Sequence, residues 1–215
     1  MKNSLLVIGA GGHARSVLDI ALQNKDYESI ACIDSSYPEV LHVDGLEEIP
    51  IIGTDADMKS LHNQGYRYFF VGIGDNKLRH KLFYKFLAMG FEPVNIISQH
   101  AIISPRAKLG KGICVMAGAV INVNTIIEDN CIINTNSTID HDCYIEKSCH
   151  ITPGVTMSGT VRVGEGTWVG VGASVIDNVT IGEWSYIGAG SAVVKNLESH
   201  TMFYGVPARK IKLLS

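Results

Sequence analysis

No stretch of this chain approaches the roughly twenty apolar residues that cross a bilayer, and the first apolar run, Leu5 to Ile8, breaks at once into glycines. Neither a membrane span nor a secretory leader is expected, and the protein is read as cytoplasmic with no membrane partner. Basic clusters are missing as well. Lys+Arg 18 against Asp+Glu 21 leave a net charge of −3, without the field that draws in nucleic acid. The five cysteines are odd in number and form no C-x-x-C pair, so neither a disulfide framework nor a cysteine zinc site is supported. Between Ile103 and Val193 only His141 and His150 could bring imidazole to a metal, one short of the three ligands a catalytic zinc needs, so no metal is expected. With 46% hydrophobic and 18% charged residues, the chain is nevertheless built to fold.

What fills most of the chain is a period. Every sixth residue from Ile103 to Val193, through Leu109, Val115, Ile121 and so on, is aliphatic or Met, with no insertion or deletion. A helix would repeat near three and a half residues, so this is a solenoid whose short strands bury their apolar residue by stacking coil on coil. Four residues after each aliphatic position the side chains are mostly small, among them Ala119, Thr125, Ser137 and Ser185, as the corner of a narrow prism requires. Cys131, Cys143 and Cys149 lie in that register and are expected to be reduced core residues. The last segment, with Phe203-Tyr204 and Pro207, is suited to capping the final coil.

The opening is different. Ser4 to Ile8 reads as a strand, Gly9-Ala10-Gly11-Gly12-His13-Ala14 as a glycine turn, and Val17, Leu18, Ala21 and Leu22 as one face of a helix. Asp34 closes a second strand about twenty residues on, which completes a dinucleotide-type fingerprint. The α/β portion ends near Ile97, however, and is too short for two mononucleotide-binding halves. Further strands are expected at Tyr68–Ile73 and Val94–Ile97, with a helix starting near Thr54 or Asp55 and another over Asn76–Met89 that buries Leu78, Leu82, Phe83, Phe86 and Leu87. The expected organisation is an α/β domain with a small Rossmann-like parallel sheet over residues 1–98, followed by a parallel β-helix with its cap over 99–215. The ligand crevice of the first domain should lie beyond the strands' carboxyl ends, where Gly11, Gly12, His13, Asp34 and Gly74 converge.

Inside the column, Ile139-Asp140-His141-Asp142 places a histidine two residues past an inward position, so its ring should point outward between two carboxylates. A neighbouring carboxylate fixes the tautomer and favours the imidazolium, which suits a general base; an ordinary surface histidine fits equally well. His150 reads as a coil-edge packing residue.

Taken together, the strand-GAGGHA-helix opening, the VGIGDN stretch, HAIISP, IDHD, the second histidine nine residues later and GVPAR resemble the hexapeptide-repeat acetyltransferases of the PglD/NeuD type over essentially the whole chain. The resemblance implies three hexapeptides per triangular coil, about five coils, a left-handed helix and a homotrimer; on that coil length His141 and His150, nine residues apart, fall on different faces, so active sites between subunits are expected. It implies acetyl-CoA as cosubstrate and direct attack on its thioester by the amine of a UDP- or GDP-linked 4-amino-6-deoxy sugar, in bacterial surface glycan synthesis. His141 would be the base and Asp142 its partner, with His150, Val171 and Ala189 at the acetyl-CoA site. Gly11, Gly12 and His13 would cradle the diphosphate, Asp34 and Ser35 would read the base or ribose, and Gly74 would close the crevice. Ser35 stands where the PglD pattern has Asp, at a nucleotide-reading position. Sialic acid O-acetylation is the alternative within the family, and a noncatalytic dinucleotide-binding trimeric scaffold the alternative outside it.

Overall fold

The computed structural model describes residues 4–214, and the chain divides into two compact units, Met1–Ile96 and Ile97–Ser215. In the first unit β1 (Ser4–Ile8), α1 (Gly12–Asn24), β2 (Ser29–Ile33), β3 (His42–Val43), β4 (Leu46–Pro50), α2 (Met58–Asn63), β5 (Tyr68–Val71), α3 (Asn76–Ala88) and β6 (Glu92–Pro93) follow in order. The sheet runs β2-β1-β5-β6 and is parallel throughout. Its central strand β1 is buried along its whole length, the pattern of a strand covered on both faces. Phe69, Phe83, Phe86 and Phe91 meet in its core at ring separations of 5.7 to 6.4 Å.

Three expectations change here. The second helix starts at Met58 and not near Thr54, because the Asp57 carboxylate accepts from both the amide and the hydroxyl of Thr54 and holds the preceding turn outside the helix. In α3 the buried side chains are Asn76, Arg79, Leu82, Phe83 and Phe86, whereas Leu78 and Leu87 are 44% and 41% exposed. Leu78 lines a cavity described below, which takes it off the packed face. Finally, the pair Ile96–Ile97 does not extend the α/β sheet; it is the end strand of an eight-stranded sheet of the column, and the amide of Ser98 donates to the Val115 carbonyl at 2.8 Å. The hexad therefore starts one step earlier than the sequence reading placed it, at Ile97.

The second unit is a parallel β-helix of two-residue strands. Each strand pairs with the one eighteen residues on: Ile102 with Val120, Lys108 with Ile126, Cys114 with Ile132. Three hexads thus close one coil. From Val115 onward the inward residues are at most 3% exposed, while Ile103 and Leu109 are partly buried at the column's first end. The small register is buried too, and it has a chemistry that size alone does not reveal. Thr125 Oγ1, Cys131 Sγ, Cys143 Sγ, Cys149 Sγ and Thr167 Oγ1 each donate to the carbonyl fifteen residues ahead, at 2.7 to 3.2 Å. Cysteine and threonine are interchangeable here because each is a small donor. A third register sets the corners: every sixth residue from Gly112 to Gly190 has positive φ, including Asn124, Asp142 and Asn178. Glycine and asparagine dominate it because they adopt that conformation at least cost. At the far end Thr201–Tyr204 pairs in parallel with Tyr186–Ile187, and Arg209–Leu213 folds back antiparallel to close the column.

Candidate active site

The coil places side chains at three apices, each a stack of residues eighteen apart linked by backbone hydrogen bonds. One apex carries His141, with Asp142 N donating to the Val123 carbonyl at 3.0 Å and Thr160 N to the His141 carbonyl at 2.9 Å. His141 faces outward, with its side chain 52% exposed. Its Nδ1 lies 2.8 Å from Asp142 Oδ2. A carboxylate can only accept, so Nδ1 carries the proton and the neutral ring presents a bare Nε2 lone pair.

Asp142 reaches back to its neighbour's ring from the left-handed corner, at φ +57. Its other oxygen accepts from Asn124 Nδ2 at 3.1 Å, one coil earlier. The His141 hydrogen bond first, and the Asn124 bond second, hold its carboxyl below the usual range. Asp140 makes a parallel arrangement: Oδ1 accepts from the His141 amide at 2.8 Å and from Asn122 Nδ2 at 2.9 Å. Asp142 thus holds the imidazole and Asp140 the histidine's backbone, and each carboxylate is itself braced by an asparagine from the coil before.

Val171 and Ala189 stack at a different apex, where Gly172 N donates to Pro153 O at 3.0 Å and Gly190 N to Val171 O at 2.8 Å. Val171 is 55% exposed. His150 lies on the strand leading into that stack, so the structure brings His150, Val171 and Ala189 to one side of the column and His141 to another. His150 is not the coil-edge residue its spacing suggested; it is 4% exposed. Its ring meets Trp168 edge-on at 4.3 Å, Trp168 stacks with Tyr186, and Nε2 lies 3.0 Å from Asn134 Nδ2. Asn134 Oδ1 takes the amide of Thr135 at 2.8 Å, which fixes the amide group and makes Nδ2 the donor to His150.

In the first unit a cavity of about 470 Å³ is lined by Gly9, Asp34, Ser35, Thr54, Asp55 and Leu78, with further apolar residues behind them. Asp34 and Ser35 therefore line one space, whereas Gly11, Gly12, His13 and Gly74 do not line it. Asp34 ties the two sets together: Oδ2 accepts from the Ala10 amide at 2.9 Å and Oδ1 from the Ser36 amide at 2.9 Å; burial pushes its carboxyl up, but the hydrogen bonds, Ser36 ahead of Ala10, outweigh it and hold the pKa below the usual value. Gly11 caps α1 with exposed backbone, and nothing stands within 4 Å of where its side chain would be. Gly74 is held from behind, its carbonyl accepting from Arg79 Nη1 at 3.1 Å. His13 is driven down to about 4, first by burial and then by the Arg79 guanidinium, so it is a neutral group at ordinary pH.

Asn124, Asn134 and Arg79 were not singled out in the sequence. Asn124 could have been found by stepping eighteen residues back from Asp142, once the coil length is known.

The family model for the PglD N-terminal domain matches residues 4–86, and that for the bacterial transferase hexapeptide (six repeats) matches 124–159 and 160–195. The solved structure of PerB from Caulobacter crescentus, in complex with CoA and GDP-perosamine, is 39% identical, covers 99% of each chain and superposes with a TM-score of 0.91. A histidine-to-alanine variant of that enzyme, GDP-perosamine N-acetyl transferase, was also solved with both ligands. The acetyltransferase domain of PglB from Neisseria gonorrhoeae, in complex with acetyl coenzyme A, is 32% identical over 98% of this chain and 100% of that one, with a TM-score of 0.91. GDP-perosamine N-acetyltransferase from Escherichia coli O157:H7 is 26% identical over 79% of this chain and 76% of its own length. A larger uncharacterized protein of Acanthamoeba polyphaga mimivirus matches 49% of the chain, which spans 20% of its length. The column is a left-handed parallel β-helix of about six turns.

Proposed function

Because the chain belongs to the hexapeptide-repeat acetyltransferases of the PglD type, we propose that it transfers the acetyl group of acetyl-CoA to the amine of a GDP-linked 4-amino-6-deoxy sugar used in bacterial surface glycan synthesis. The observation that carries this is the exposed His141 ring with Nδ1 on Asp142 and Nε2 open. As the sugar nitrogen attacks the thioester carbonyl, a C–N bond forms and the C–S bond breaks. The nitrogen's proton passes to His141 Nε2 and on to the departing CoA thiolate. Asp142 keeps the ring in the tautomer this needs and steadies the imidazolium that forms.

His150, Val171 and Ala189 would hold the pantetheine arm and the thioester, and their place at another apex from His141 supports a site completed by a second copy of the chain, in a homotrimer. In the first unit, the exposed amides of Gly11 and Gly12 at the start of α1 suit a diphosphate, with His13 beside them as a neutral hydrogen-bonding ring. Asp34 and Ser35 in their cavity suit the nucleoside, and Gly74 closes the crevice. Guanine is favoured over uracil by the GDP-perosamine named for both the Caulobacter and the Escherichia relatives.

The test is CoA thiol release against a panel of GDP- and UDP-amino sugars and sialic acids. The five cysteines are buried, and Cys32 is pushed up to about 12 by burial and then by Asp34, so the protein's own thiols stay silent in that assay. Turnover with a GDP-amino sugar is expected. Turnover only with a sialic acid, or none with any acceptor, rejects the proposal. His141→Ala should lower kcat by at least about a hundredfold with little change in acetyl-CoA binding.

A further inference from the structure

We infer that Gly159 is a positioning residue for the base: the His141 ring lies where a side chain at 159 would stand. This rests on the assignment of His141 above and adds what holds its ring in place from the other side. A Cβ built on Gly159 falls 2.7 Å from His141 Nε2 and 3.0 Å from Nδ1, and nearer still to Cε1. Real Cβ atoms do not come so close, so the ring would have to leave.

The position follows from the coil length. Residues 141 and 159 are eighteen apart on one apex stack, so Gly159 is the next rung over the histidine, as Asn124 is the rung before Asp142. The backbone does not ask for glycine there. Gly159 is not among the positive-φ residues, so its backbone suits any L-amino acid. All three nearest atoms to the built Cβ belong to the imidazole. Gly166 and Gly188 do the same for the rings of Trp184 and Tyr204, so a glycine beneath a ring one coil away is a recurring seat in this column, and at 159 the ring it seats is the imidazole. His141 is half exposed and can swing into solvent, so an added methyl would break the Nδ1 contact with Asp142 and leave the coil intact.

The test is a double-mutant cycle. Gly159→Ala should lower kcat by about ten- to a hundredfold, the scale of a misplacement of about 1 Å, with KM for acetyl-CoA changed less than about twofold. In a His141→Ala background the same substitution should change kcat by less than about twofold, since the ring it displaces is already gone. An equal fall in both backgrounds assigns Gly159 to the coil and overturns the inference. If Gly159→Ala is unstable, the double variant should melt where His141→Ala melts; a double variant as unstable as Gly159→Ala overturns it too. A fully active Gly159→Ala enzyme beside an inactive His141→Ala enzyme rejects the seat alone, whereas an active His141→Ala enzyme rejects the base and the seat with it.

Discussion

Among single residues, the structure separates the eight histidines by environment more than by neighbours in sequence. His141 is open and braced through Asp142, His150 is enclosed by Trp168 and Asn134, and His13 is held neutral. His13 has a measurable consequence for stability. The unfolded chain takes up its imidazole proton near 6.5 and the folded one only near about 4, so unfolding binds a proton between those values. Stability therefore falls on acidification across that window, by about 3 kcal/mol in all, and is fully present above it. Urea unfolding of the first unit's transition at pH 7 and pH 4.5 should show this loss in the wild type and much less of it in His13→Asn. An equal loss in both would mean that carboxylates carry the acid sensitivity. IDHD was legible as an outward histidine between acids because the hexad fixes which residues face inward. The role of Asn124 was not, since its partner lies eighteen residues away.

At the level of the element, the column is stabilised by one inward apolar residue per strand and, at corners such as Thr125, Cys143 and Thr167, by a buried donor. Neither can be removed cheaply, because each coil is both floor and roof to its neighbours. Ile145 is fully buried and pairs with Ile127 and Val163 on the strands either side. Ile145→Ala should cost about 2–5 kcal/mol, the range for emptying a packed core site, read as a lower denaturation midpoint at an unchanged slope. Cys143→Ala should also destabilise, whereas Cys143→Thr should cost less, because threonine restores a donor toward the Ser158 carbonyl that Cys143 Sγ reaches at 3.2 Å. An Ala no worse than Thr would reduce this register to a question of size. The sequence points Ile96–Ile97 to the α/β sheet because two apolar residues carry no period of their own, whereas the structure places them in the column. Stepping the hexad back from Ile103 would have found it.

For the molecule as a whole, the proposed sharing of sites between copies makes its own prediction. The His141 apex and the Val171–Ala189 apex are different corners of one prism, so a site that needs both is completed by a neighbour. Mixing inactive His141→Ala and His150→Ala chains under conditions of proven subunit exchange should restore part of the activity, since about one site in three of each mixed trimer, or about a quarter of all sites at equal mixing, is intact on both sides. No recovery would place both histidines' work within one chain. Much of this architecture follows from the sequence by itself. A local rule repeated every six residues specifies strand, corner and core without reference to distant contacts, and a glycine turn between an apolar run and an amphipathic helix specifies the opening of the α/β unit. What only the tertiary structure decided are the relations across one coil: the bracing of Asp142 by Asn124, the enclosure of His150, and the place of Gly159 over the imidazole. Those contacts arise when residues eighteen apart are stacked about one strand spacing from each other, a proximity that the chain acquires only on folding.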